Sequence, residues 1–298
     1  MTDRQTERPH AQAPGLELRA DADILTLLAE GQAAAAASVG SAIADIARGA
    51  TLAAASIAGG GRLIYAAAGS SGLMALADAL ELPGTYGIAR DRIAVLLAGG
   101  MDALTDMHGG PEDDSGAARR AMAALAPGPA DCLIAVTASG QTPYPLAAAE
   151  AARAAGARTV GIVNNPGSAL AGVAEVTICL PTPPEIIAGS TRMGAGTAQK
   201  IALNMLSTLM AIRLGHVHDG LMVNLVADNR KLRARARGIV ARIAGVDEAR
   251  AGAALEAADG AVKPAVLLAA GAPDRRSAEA LLARHEGHLR PALGALRR

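Results

Sequence analysis

Five short apolar runs limit what this chain can become: LIYAAAG (63–69), IAVLLAGG (93–100), DCLIAVTASG (131–140), TVGIVNN (159–165) and VTICLP (176–181). Each is bounded by Gly, Pro or polar residues, and Ala-rich helical segments separate most of them. Short runs apolar on both faces are strands of a parallel sheet with helices over both sides. The fold class expected is therefore α/β. A ligand of such a sheet binds outside the carboxyl ends of the strands, near a switch in strand order. Three polar clusters fall there: GSSG after the first run, GG…GGPEDD after the second and ASGQTPY after the third.

The 298 residues suffice for one large domain, or for a medium domain with an appendage. Hydrophobic residues make up 51%, but much of that is Ala, and Trp and Phe are absent. Such small side chains suit close helix packing over a buried sheet. With 28 basic and 28 acidic residues, the chain has no general attraction for nucleic acid or an anionic membrane. Cys132 and Cys179 fall within strand segments and read as small buried hydrophobes, not as a disulfide or a metal site. The polar N-terminus MTDRQTERPHAQAPG lacks the apolar segment of a secretory signal, and no apolar run reaches membrane-spanning length. A cytoplasmic location is the expectation.

Residues 21–58 carry Leu and Ile at helical spacing among Ala, which predicts two helices before GGGR. GAGTAQKIALNMLSTLMAIRLG (194–215) predicts one long helix closing on Gly215. Beyond residue 230, brief amphipathic pieces punctuated by Gly predict three or four small helices. The organisation expected is an N-terminal helical segment (1–54), a central domain (55–228) and a helical C-terminal domain (229–298).

A strand that runs into GSSG and then a helix presents backbone N–H groups and hydroxyls where the helix dipole favours an anion. ASGQTPY repeats the arrangement with Ser139, Gln141 and Thr142. Capping by Ser or Thr accounts for such turns as well. Neither turn has the spacing of a dinucleotide fold or a P-loop, so a phosphate is the better guest than a nucleotide. Two carboxylates stand at the same edge: Glu81 before Pro83-Gly84, and Glu112 in GGPEDD. One reading has Glu81 ending a helix and Glu112, Asp113 and Asp114 capping the next. The other makes them a proton donor and acceptor, since carboxylates beside a bound phosphate are pushed toward neutral pKa values. The basic run RKLRARARGIVAR lacks aromatics and fits the solvated face of a helix. His216 and His218 lack a supporting ligand cluster and read as loop residues.

Taken together, GRLIYAAAGSSG, ALELPGTYG, AGG…GGPEDD, ASGQTPY, NNPGS, GSTRMGAGTAQKIALNMLST and NLVADNRKL resemble the N-acetylmuramic acid 6-phosphate etherases, relatives of the glucokinase regulatory protein within the SIS phosphosugar-binding fold. The likeness runs from about residue 55 to the C-terminus. It implies a SIS-type three-layer αβα sandwich with a five-stranded parallel sheet, and a small ubiquitin-associated-like helical domain at the C-terminus. It also implies a homodimer with pockets near the subunit interface. Carried onto this sequence, the proton donor is Glu81 and the second catalytic acid Glu112. Ser70, Ser71, Gly72, Ser139, Gln141, Thr142, Ser190 and Arg192 hold the sugar phosphate, with neither metal nor cofactor. The activity implied is cleavage of the D-lactyl ether to N-acetylglucosamine 6-phosphate and D-lactate; a sugar-phosphate sensor and a phosphosugar isomerase are the alternatives. Four departures stand out: Leu73 where the family usually has Arg, Gly194 where it has Lys, Leu82-Pro83-Gly84 in place of Cys-Pro-Pro after the first acid, and His108-Gly109-Gly110-Pro111-Glu112-Asp113 in place of Val-Glu-Gly-Ala-Glu-Asp.

Overall fold

The computed structural model describes residues 4–296, in two compact units. The first comprises the residues up to Ala79 together with Asp91–Ser207. In chain order its elements are α1 (Asp21–Ser38), α2 (Ile43–Ala58), β1 (Leu63–Ala67), α3 (Gly69–Tyr86), β2 (Ile93–Leu97), α4 (Ser115–Leu125), β3 (Cys132–Val136), α5 (Pro143–Ala154), β4 (Arg158–Val163), α6 (Ala169–Val173), β5 (Val176–Cys179) and α7 (Gly194–Arg213). The last residues of α3 and α7 belong to the second unit.

All five strands are parallel, in the order β2-β1-β3-β4-β5. The chain steps from β1 to β2 on one side, then crosses to β3 on the other, so the direction of winding reverses between β1 and β3. This is the switch point at which open α/β sheets bind ligands. Ala67 pairs with Val136 in register, so the GSSG and ASGQT segments leave neighbouring strands at the same level.

β1 and β3 are buried at every position, as a central strand covered on both faces must be. Ile64, Ala66, Leu133 and Ala135 face Met122 of α4 and Ala148 and Ala152 of α5. Alternate residues point the other way, and among them Tyr65 donates its hydroxyl to Asp78 Oδ2 at 2.9 Å. The amino ends of β1 and β3 are joined by a buried carboxylate: Asp131 accepts from Arg62 N (2.8 Å), Arg62 Nη2 (2.8 Å) and Gly128 N (3.0 Å). Burial pushes the Asp131 carboxyl up, but the bonds from Arg62 and Gly128 outweigh it and hold the group below the usual carboxylate range.

The second unit comprises Leu80–Arg90 and the residues from Thr208 onward. It holds the short antiparallel pair β6 (Val217–His218) and β7 (Leu221–Met222), then α8 (Arg230–Ala244), α9 (Glu248–Ala257), α10 (Val262–Ala269), α11 (Arg275–Arg284) and α12 (Leu289–Leu296). Val223, Ile239, Val240, Val266, Leu267 and Leu289 form its core. Among the described residues five helices stand where three or four were expected, because a left-handed Gly287 breaks the last stretch in two. His218 lies in β6 instead of a loop, paired across to Leu221. The arginines of α8 are exposed while Ala236, Ile239 and Val240 are buried, the solvated face expected of the basic run.

Candidate active site

The GSSG segment is the first turn of α3, with Gly69 in the left-handed region at φ +52°. Its position is explained by Glu112. A Cβ on Gly69 would lie 2.6 Å from Glu112 Oε1, so the carboxylate rests directly on the backbone at the mouth of the helix. Ser70 and Gly72 line the solvent-open cleft in front of this turn, with Leu73, Leu97, Met107, His108 and Glu112 around them. Ser71 is buried behind.

The acidic segment divides its roles. Asp114 caps α4, accepting from Ala117 N at 2.8 Å. Glu112 is thereby released from capping and turns to Gly69, within a 3₁₀ turn at Gly110–Asp113. Burial, with Asp113 adding to it, pushes the Glu112 carboxyl above its ordinary value. A carboxylate raised in this way is a stronger proton acceptor, and it holds the proton it takes.

At the end of β3 three hydroxyls form a triangle. Thr137 Oγ1 lies 2.8 Å from Thr142 Oγ1 and 3.3 Å from Ser139 Oγ, and Ser139 and Thr142 are 3.4 Å apart. Ser139 Oγ also accepts from Gln141 N at 3.1 Å. Thr142 is the N-cap residue of α5 but makes no side-chain cap bond, so its hydroxyl serves the triangle and the space above it. The turn is tight at Gly140: φ is +66°, and a Cβ there would come within 2.3 Å of Ser168.

Gln141 is exposed beside this triangle. Ser190 and Arg192 stand in the segment before α7 and are not among the residues that line the Ser70 cleft. The amino end of α7 is held from within by buried Glu185, which accepts from Gly194 N (3.0 Å) and Ala195 N (2.9 Å). Glu81 belongs to the second unit and is exposed on α3. That helix continues through Pro83 to Tyr86, since a proline near a helix end removes a single bond. Two residues escaped the reading of the sequence. Thr137 reads there as the tail of a strand, although its place at the carboxyl edge is a usable signal. His108 appears only as a departure from a family pattern, with nothing to say that it borders the cleft.

The SIS domain family matches residues 92–209. A phosphoheptose isomerase from Francisella tularensis superposes with a TM-score of 0.50 at 19% identity, over 64% of this chain and 98% of that one, which is a likeness of fold. A Deinococcus radiodurans protein named N-acetylmuramic acid 6-phosphate etherase is 42% identical over 295 residues, 99% of this chain and 97% of its own length. One of the same name from Symbiobacterium thermophilum is 49% identical over 224 residues, 74% of each chain. With such identity over almost its whole length, and with a SIS-type sheet carrying both Gly/Ser turns at the switch point, this chain belongs to the N-acetylmuramic acid 6-phosphate etherase family.

Proposed function

We propose that this protein is a lyase that cleaves the D-lactyl ether of N-acetylmuramic acid 6-phosphate, yielding N-acetylglucosamine 6-phosphate and D-lactate. The observation that carries the reading is the Glu112 carboxylate seated on Gly69: a proton acceptor stands beside an anion seat. The phosphate takes the backbone N–H groups of Ser70 and Ser71, the Ser70 hydroxyl and the hydroxyl triangle with Ser139 and Thr142; Gln141, Ser190 and Arg192 supply the outer sugar contacts.

Opening of the sugar ring exposes an aldehyde at carbon 1 and acidifies the proton on carbon 2. Glu112 takes that proton. The freed electron pair forms the bond between carbons 2 and 3 as the carbon 3–oxygen bond breaks, and Glu81 protonates the departing lactate oxygen. Water then adds in the reverse sense: Glu81 takes a proton from it, its oxygen joins carbon 3, and Glu112 returns a proton to carbon 2. General acid and general base are typically worth about 10²–10⁴-fold each.

The family resemblance implies a homodimer, and we read each cleft as taking Glu112 from one copy and Glu81 from the other. We read residues 229–298 as a ubiquitin-associated-like appendage and the cytoplasm as the working compartment. Among the described residues no helix is long and apolar enough to cross a membrane. The test is Glu81→Gln, which folds and binds the sugar phosphate but releases no lactate; normal release by that variant removes the assignment.

A further inference from the structure

The proposed substrate carries two anions, a phosphate and the carboxylate of its lactyl group, while the Ser70 cleft offers little positive charge. Among the described residues no Lys or Arg lines it, Arg192 being outside this lining, and the ionisable side chains that do are Glu112 and His108. The phosphate has its own seat in the N–H groups and hydroxyls of the two turns. The lactyl carboxylate hangs from carbon 3, the neighbour of the carbon whose proton Glu112 removes, so it must lie close to a carboxylate that repels it. Much of the remaining lining is apolar, with Leu73, Leu97 and Met107. His108 stands four residues before Glu112 in the same segment, and its Nε2 is 2.7 Å from Asp106 Oδ2. With Nε2 turned to Asp106, Nδ1 is the ring nitrogen left for a ligand, and it donates an N–H whenever the ring carries a second proton.

Resting on the etherase reading, we infer that His108 receives the lactyl carboxylate of the substrate, orienting the carbon 3–oxygen bond beside Glu112. His108 is thus a specificity residue: it tells a sugar phosphate bearing a carboxylated ether from one with a plain hydroxyl. Its side chain is 76% exposed, so replacing it leaves the fold intact.

The experiment measures binding in a Glu112→Gln background, which prevents turnover, by calorimetry with N-acetylmuramic acid 6-phosphate and, separately, N-acetylglucosamine 6-phosphate. His108→Gln weakens the first by about tenfold, the scale of one charge-assisted hydrogen bond, and leaves the second nearly unchanged. His108→Lys recovers most of the loss. Equal weakening of both ligands, or of neither, overturns the inference. Lactate release by the unmodified enzyme is assayed in parallel: its absence refutes the etherase reading, while the contrast between the two ligands still judges His108.

Discussion

The carboxylate of Glu112 occupies the place where Gly69 would carry a side chain, with Oε1 2.6 Å from the position of a Cβ. The first residue of α3 and the acid at the end of the β2 loop therefore hold each other's geometry. Gly69→Ala meets both the left-handed backbone and the carboxylate. We expect a folded protein, less stable by about 1–2 kcal/mol, with lactate release reduced at least about a hundredfold because the proton acceptor is displaced. Circular dichroism and a lactate assay on the same preparation check both halves.

Because burial and Asp113 raise the Glu112 carboxyl, its protonation favours the folded state. The sign follows: this contribution to stability is full below the ordinary glutamate range and is lost as pH rises through the elevated value. Glu112→Gln is accordingly expected to raise the melting temperature at pH 7 and to leave it unchanged at pH 3. The same variant loses about 10²–10⁴-fold in lactate release. In the unmodified enzyme, kcat/KM falls on the acid side at a higher pH than an ordinary carboxylate would give, which a pH–rate profile measures.

Thr142 and Thr137 share a 2.8 Å hydroxyl contact above the start of α5. Thr142→Val preserves shape and removes the hydroxyl. The expected result is weaker sugar-phosphate binding by about tenfold, with a stability change under about 1 kcal/mol. Calorimetry with N-acetylglucosamine 6-phosphate tests it, and unchanged affinity would take Thr142 out of the phosphate seat.

At the other end of the sheet, Asp131→Ala leaves the buried amino ends of β1 and β3 without their shared acceptor. The cost expected is about 3–5 kcal/mol, as for breaking a buried pair on one side. The native Asp131 carboxyl is held low, so its contribution is present above the ordinary aspartate range and disappears as pH falls through the lowered value. Urea unfolding of both proteins at several acidic pH values measures this.

Mixed dimers test the division of acids between copies. If each cleft takes Glu81 and Glu112 from different chains, co-expressed Glu81→Gln and Glu112→Gln subunits regain about a quarter of full activity through dimers with one intact cleft. Clefts built from one chain regain none.

The apolar runs were enough to announce a doubly covered parallel sheet, since a strand buried on both faces has to be apolar throughout. The strand positions followed from local pattern, as did the solvated arginines of α8. The resemblance named the two acids. What local pattern left open was the division of labour in GGPEDD. Any of Glu112, Asp113 and Asp114 is chemically fit to cap α4, and packing alone gives that task to Asp114 and sends Glu112 across to Gly69. Likewise His108 and Leu73 are far apart in the chain and border one cleft only because β1 and β2 are neighbours. Burial patterns are written into short stretches of residues, whereas the meeting of distant side chains depends on how the sheet is wound.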